Sequence, residues 1–305
     1  MTASRGTAVA IALLLTALAT AGCGLGPGKE VGDVELTVTR DYGTVPMLRR
    51  ELGDLTESDT VMRALERNAE VGTRYGGGFV QSIDGLEAEE SVDGSRDWFF
   101  YVDGVEATVG AADYSLRGRE SVWWDYRDWT AAMRVPAVVG SWPQPFLDGY
   151  EGRRRPVAVE CLGGGEACAT VRGRLRDAGV AVAGGSADGT IRILVGPWAR
   201  VRQDPAAAQI EDGPQASGVF AGLKPDSGGY SLEGLGEDGK PARTFGAGAG
   251  LVAAVRRYEE PPVWVVTGPG LAGVGAAAQL LDAADLRDHY AVAVDGGEET
   301  PLPVR

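Results

Sequence analysis

One histidine, three cysteines and three lysines (Lys29, Lys224, Lys240) stand in a chain of 305 residues, and each scarcity excludes something. A structural zinc site takes about four Cys or His ligands. His289 with Cys161 and Cys168 supplies too few, so no metal site is expected. A Ser-His-Asp arrangement would have to use His289, whose Leu286-Arg287-Asp288-His289-Tyr290 setting reads as a surface helix end. Basic charge is also short, with a formal net charge of −14. A nucleic-acid binder needs a basic stripe. The one dense run, Arg153-Arg154-Arg155 beside Pro156, reads as a solvated linker, which excludes nucleic acid as a partner. The chain has no Gly-x-Ser-x-Gly elbow, no zinc-protease histidine pair and no P-loop. Its 43 acidic residues offer chance carboxylate pairs of the kind glycosidases use, and nothing singles one out. The expectation is a non-enzyme without catalytic residues or cofactor.

Long apolar runs are equally few. Ala8 to Ala19 is one, too short for a comfortable membrane span, and with Arg5 ahead of it residues 1–22 read as an export signal. Leu18-Ala19-Thr20-Ala21-Gly22-Cys23 resembles the lipobox of bacterial lipoproteins, with Thr20 where that motif prefers Leu. The alternative is an ordinary cleaved signal with an incidental Cys23. Several acyl chains on one cysteine would anchor stably, unlike a single chain. Membrane lipid, through acylated Cys23, is then the first partner. The expected location is the extracytoplasmic face of the cell membrane. Residues 23–32 form a short Gly-rich tether. Outside the cytoplasm, Cys161 and Cys168, separated by a stretch containing Gly163-Gly164-Gly165, read as a disulfide.

What is present divides in two. Apolar content of 44% is enough for a core in each half. The expected fold class is α+β. A small β-rich domain with one helix (33–130) is followed by a Pro-rich connector (131–156) and an α/β sandwich domain (157–305). In the first domain Val34 to Thr39 alternates as a strand, and Val61, Leu65 and Ala69 recur at helical spacing. Phe79 to Ile83 is a strand closed by Asp84-Gly85. The segment Trp98-Phe99-Phe100-Tyr101-Val102 is strand-forming and runs into Asp103-Gly104, a dipeptide that tolerates the positive φ of a tight hairpin. Ser121 to Tyr126 is the closing strand. Trp98, Phe100 and Val102 face one way, Phe99 and Tyr101 the other. The sheet is therefore either covered on both sides or presents an aromatic surface to a ligand.

This order of elements resembles the C-terminal β-domain of transcobalamin and intrinsic factor, and more closely a related bacterial domain of unknown function. The residues that carry the resemblance are Thr60-Val61-Met62-Arg63-Ala64-Leu65, Tyr75-Gly76, Ser82-Ile83-Asp84-Gly85-Leu86, Trp98 to Gly104, Gly110-Ala111-Ala112-Asp113-Tyr114 and Trp123-Trp124-Asp125-Tyr126. Asp84 and Asp103 stand where the family usually has Asn. The resemblance covers about a third of the chain. In the animal proteins this domain closes over one face of cobalamin and a helical domain holds the other; no such helical domain is visible here. The resemblance implies a lipid-anchored protein that captures a small, corrinoid-like ligand for uptake, with an envelope or transporter protein as a further partner. Carried over, the ligand-contacting candidates are Tyr75, Trp98, Tyr101, Trp124 and Tyr126. The alternative is a structural or adhesive envelope protein without a small-molecule ligand, which full burial of Trp98, Trp124 and Tyr126 would favour. A glycan-active enzyme is a third reading.

In the connector, Trp142 and Phe146 among four prolines suggest a docked segment. Beyond it, strands are expected at Val157–Glu160, Ile191–Val195, Val263–Thr267 and, last, Tyr290–Val294. Helices are expected at Ala169–Ala178, after Gly196-Pro197, at Leu251–Tyr258 and at Val274–Leu281, with a hairpin around Asp226 to Gly229. Ile193-Leu194-Val195-Gly196-Pro197 and Val265-Val266-Thr267-Gly268-Pro269 look alike, as if one unit had duplicated. Gly268-Pro269-Gly270-Leu271-Ala272-Gly273 has the spacing of a dinucleotide fingerprint. It is set aside because too little chain remains for the rest of that fold and because helix-on-strand packing accounts for the glycines.

Overall fold

Apolar strands build two six-stranded sheets, and the chain between them ties one to the other. The structure is a computed structural model that describes residues 28–74, 77–91 and 94–305. The export signal, Cys23 and Tyr75 lie outside the described residues. Helix and strand are mixed, with strand predominating.

The first sheet uses β1 (Val34–Arg40), β2 (Val45–Leu52), β6 (Glu89–Ser91), β7 (Gly94–Val102), β8 (Val105–Glu106) and β9 (Ser121–Asp128). Between them come α1 (Val61–Glu66) and a small sheet of β3 (Val71–Arg74), β4 (Phe79–Ile83) and β5 (Leu86–Glu87). The order is β2-β1-β9-β7-β6, with β8 paired to β7. The β1–β9 pair is parallel and the others are antiparallel. Asp103 and Gly104 both take positive φ in the hairpin turn, as that dipeptide predicts. Thr60 caps α1 through Arg63 N. The helix ends at Glu66, earlier than its apolar spacing suggests. β2 escapes the sequence reading because Pro46 and the run Arg49-Arg50-Glu51 break its alternation, as suits an edge strand.

The second sheet, β10-β11-β16-β15-β17-β18, uses Val157–Cys161, Ile191–Val195, Val263–Thr267, Gly250–Val255, Ala291–Asp295 and Glu298–Leu302 in that order. Three of its strands, β10, β11 and β16, run parallel. Helices α2 (Gly165–Asp177), α3 (Trp198–Val201), α4 (Pro214–Ser217), α5 (Leu271–Gln279) and α6 (Ala283–Leu286) surround it, with a hairpin sheet of β12 (Ala221–Asp226), β13 (Gly229–Leu235) and β14 (Pro241–Thr244). Gly250–Val255 is a strand and not the helix expected from Leu251–Tyr258. Its alanines favour helix locally, but all six residues are buried between neighbouring strands, and packing overrides propensity. The last strand is Glu298–Leu302. The two look-alike segments are parallel neighbours, yet α3 leaves to one face of the sheet and α5 to the other, so they do not repeat one unit. Cys161 and Cys168 form a disulfide with Cα atoms 5.9 Å apart.

The first sheet is covered on both faces. Trp98, Val102, Trp124 and Tyr126 pack with Val61, Met62 and Leu65 of α1. On the opposite face Tyr101 and Trp123, with Tyr42 from the β1–β2 turn, share one core with Trp198, Phe220, Leu251 and Tyr290 of the second half. The rings of Tyr42, Phe220, Trp123 and Tyr290 meet edge-on at centroid distances of 5.0 to 5.3 Å. The connector lies docked, with Trp142 and Phe146 against Trp264.

At the centre of this shared core is one carboxylate. Asp125 Oδ1 accepts from Thr39 Oγ1 at 2.6 Å and from Gly43 N at 3.0 Å. Its Oδ2 accepts from Tyr42 N and, across the junction, from Tyr290 Oη, both at 3.0 Å. Trp123 Nε1 donates to the same Thr39 hydroxyl at 2.8 Å. Gly43 can hold this position because its φ is +83°, and a Cβ there would meet Asp288 O at 1.7 Å. Outside the core, Arg96 and Arg305 alternate with Asp41 and Glu237 in a ring of ion pairs between the halves.

Two predictions follow from this packing. Cys161→Ala with Cys168→Ala should lower stability by about 2 kcal/mol, the chain-entropy value for so short a loop, in urea unfolding under oxidising conditions. Burial pushes the Asp125 carboxyl up to about 6, against the pull of its Thr39, Gly43 and Tyr290 hydrogen bonds. Between roughly pH 4 and 6 the folded chain therefore holds a proton that the unfolded chain has lost. Stability from this group is full below its unfolded value and is lost as pH rises through about 6. The cost of Asp125→Asn should accordingly grow by about 2 kcal/mol from pH 7 to pH 4. A cost that does not change with pH would contradict this assignment.

Candidate functional site

The strand alternation that builds the first sheet separates the residues expected to bind ligand. Trp98, Trp124 and Tyr126 lie on the α1 face and Tyr101 on the opposite face, and none is more than 5% exposed. Trp98 packs on Tyr126 with ring centroids 5.3 Å apart, while Trp124 stacks on Phe100 at 4.8 Å. Trp98 Nε1 donates to Leu86 O and Tyr126 Oη to Glu87 O, so the polar ends of both side chains hold β5 in place. Tyr101 Oη donates to Tyr290 Oη at 3.3 Å. A ligand could reach these four only by opening a core. His289 is largely buried instead of lying on a surface helix end. Burial lowers its pKa, and Nδ1 has no partner among the described residues.

The open part of the second face lies farther along the same sheet. Where β1, β2 and the start of β9 run beyond the contact with the second half, they and the connector bound a cleft of about 830 Å³. The strand ends contribute Glu35, Arg49 and Ser121, and the connector contributes Ser141, Trp142 and Gln144. A narrower recess of about 100 Å³ adjoins it and adds Trp123, Arg287 and Asp288. Arg49 spans the recess, donating to Glu35 on β1 and to Asp288 of the second half. Ser121 Oγ and Ser141 Oγ lie 3.4 Å apart, and Gln144 Nε2 donates to Asp148 at 3.1 Å. Glu120 borders the cleft, but its side chain is buried; its Oε2 accepts from Arg117 N at 2.7 Å. The cleft thus joins hydrogen-bonding groups to an aromatic and aliphatic wall of Trp142, Pro143 and Leu147. Sequence reasoning missed it because its residues come from separate segments; Trp142 in the connector was the one available signal.

The dinucleotide-like motif does other work. A Cβ on Gly273 would meet Ala249 O at 1.8 Å, and one on Gly250 would meet Gly273 O at 2.2 Å. These glycines let α5 lie directly on the sheet. Among the described residues no three His, Cys, Asp or Glu side chains converge as a metal-ligand set, and no helix is long and apolar enough to cross a membrane.

A family model matches the first sheet. It is described as a domain of unknown function, DUF4430, and covers residues 58–128. The DUF4430 span starts at the helix cap and ends with β9. It leaves out β1 and β2, which complete the sheet, and the whole second half. Among solved structures, a candidate metal binding protein from Ruminococcus gnavus is similar at 12% identity and a TM-score of 0.25, over 32% of this chain and 97% of that one. No curated protein matches the chain.

The cleft geometry yields a further prediction. Arg49 is partly exposed, so its two ion pairs are screened, and Arg49→Ala should cost under about 1 kcal/mol. A larger loss in urea unfolding would mean that this side chain ties the halves together and does not merely border the recess.

Proposed function

We propose that this chain is an extracytoplasmic, lipid-anchored binding protein that takes a small polar ligand in the cleft between its first sheet and the connector and acts without catalysis. The supporting observation is the cleft itself, whose size falls within the range of about 300–1,000 Å³ usual for ligand pockets. It combines Arg49, Ser121, Ser141 and Gln144 with the wall of Trp142. In this reading the first half is a transcobalamin C-terminal-like β-domain, the second an α/β sandwich domain, and Cys23 carries the acyl anchor. The resemblance implies a corrinoid or similar ligand held for uptake by a transporter partner.

A second reading, a structural or adhesive envelope protein, is favoured by the burial of Trp98, Trp124 and Tyr126. One experiment separates the two. Trp142 borders the cleft and Trp123 the recess, so tryptophan fluorescence reports on both. Titration with cobalamin, cobinamide and a panel of small amines, acids and sugars should give a saturable change. Ser121→Tyr, which fills the cleft from its floor, should abolish that change. A flat response across the panel would favour the envelope-protein reading.

A further inference from the structure

The chain is strongly acidic, with a formal net charge of −14, yet one end of the fold collects arginines. Arg117 and Arg119 flank Gly118 in the turn before β9, and Arg153, Arg154 and Arg155 end the connector before β10. Folding brings the two groups together. A Cβ on Gly152 would meet the Arg117 guanidinium at 2.3 Å, so that side chain lies along the Tyr150–Arg153 turn. Arg119 and Arg154 share Asp148 at 4.0 and 2.7 Å, with side chains 75% and 71% exposed. Arg155 lies over the Tyr150 ring, 5.0 Å from its centroid. Glu151, in the same turn, is taken by the buried Arg256 at 3.3 Å. Arg117, Arg153 and Arg155 enter no ion pair among the described residues. The acids left to offset the five arginines here are Asp148, the exposed Asp33 and the buried Glu120, which acts on Arg117 electrostatically.

The chain also enters the fold at this end. A Cβ on Gly118 would meet Val31 O at 1.8 Å, and Arg119 N donates to Asp33 O at 2.5 Å. The residues that follow the Gly-rich tether therefore lie on the Arg117–Arg119 turn. Gly28 stands five positions after Cys23, a reach of at most about 18 Å of extended chain.

We propose that this arginine end is a docking surface for the anionic phospholipid headgroups of the bilayer that holds Cys23. The proposal rests on the lipid-anchored reading argued above. An anchor on so short a reach would hold the five guanidiniums close to the headgroup layer. Clusters of about four to eight basic residues near an anionic bilayer are attracted to it, each adding to the binding. Guanidinium groups also match phosphate in shape and hydrogen bonding. The acidic remainder of the chain is repelled by the same surface, so attraction at one end selects one orientation. Arg119 lines the cleft as well, which in that orientation stands beside the membrane.

The test is flotation of the chain from residue 23 onward, with Cys23→Ser so that no acyl group contributes, on vesicles of phosphatidylcholine with and without about one third phosphatidylglycerol. The partition coefficient should be about tenfold or more higher on the anionic vesicles at low ionic strength and should fall in high salt. Arg119→Gln with Arg153→Gln should lower it by about tenfold or more. Arg200→Gln with Lys224→Gln, which remove the same charge from exposed positions in α3 and β12, should change it less than about twofold. Equal partition onto both vesicles, or equal losses from the two double variants, would overturn the proposal. So would saturable binding of inorganic phosphate without partition onto vesicles, which would mark the arginines as a site for a soluble anion. Should the Arg119 and Arg153 pair of changes unfold the chain, Arg154→Gln must show the same direction of loss. The anchor is read separately, from the mass of the Cys23 peptide of the full chain recovered from bacterial membranes. An unmodified Cys23 would remove the anchor reading, while the vesicle result decides the docking surface.

Discussion

The two halves of this protein are held in one arrangement by a carboxylate that neither could satisfy alone. Asp125 sits in β9 with two acceptor oxygens, each taking two donors, and one of the four is Tyr290 Oη from the far side of the junction. A buried carboxylate short of donors is costly, so the junction has to form around it with little freedom. The left-handed turn that delivers Tyr42 N and Gly43 N also brings the Tyr42 ring against Phe220 and Tyr290. Polar satisfaction and aromatic packing thus select the same placement of the halves, and either would be spoiled by sliding one past the other.

Arg127 extends the constraint to the connector. Its buried guanidinium donates to Ala132 O at 2.7 Å and Met133 O at 3.1 Å and lies 3.7 Å above the Phe99 ring. The connector is pinned where it leaves the first sheet and docked again at Trp142 and Phe146, so it forms a wall of the cleft instead of a loose link. The cleft is a by-product of this geometry: one face of the sheet is longer than the surface that covers it.

The hairpin at Asp103-Gly104, the alternation of Trp98 through Val102 and the strands Phe79–Ile83, Ile191–Val195 and Val263–Thr267 were legible because their signals are local. What covered the second face was not. Tyr101, Trp123 and Asp125 look the same in sequence whether they meet a ligand or Tyr290, 165 residues beyond Asp125. Gly250–Val255 was misread for a related reason, since a central strand buried on both sides loses the alternation that marks a half-buried one. The cleft was illegible because Glu35, Arg49, Glu120, Ser141 and Asp288 have no shared pattern until the sheet and connector are folded.

This separation bears on where specificity resides. The DUF4430 match spans residues 58–128 and so includes the aromatic strands and, of the cleft and recess groups named above, only Arg119, Glu120, Ser121 and Trp123. Glu35 and Arg49 come from β1 and β2, Ser141, Trp142 and Gln144 from the connector, and Asp288 from the second half. The matched span supplies a sheet with two apolar faces and, at its end, the Arg119–Ser121 border of the cleft. What covers the second face, and the rest of the cleft lining, comes from chain outside the match. A reading drawn from the matched span alone would therefore miss most of the residues that line the cleft. The chemistry of this cleft has to be read from residues 33–52, the connector and the loop that carries Asp288.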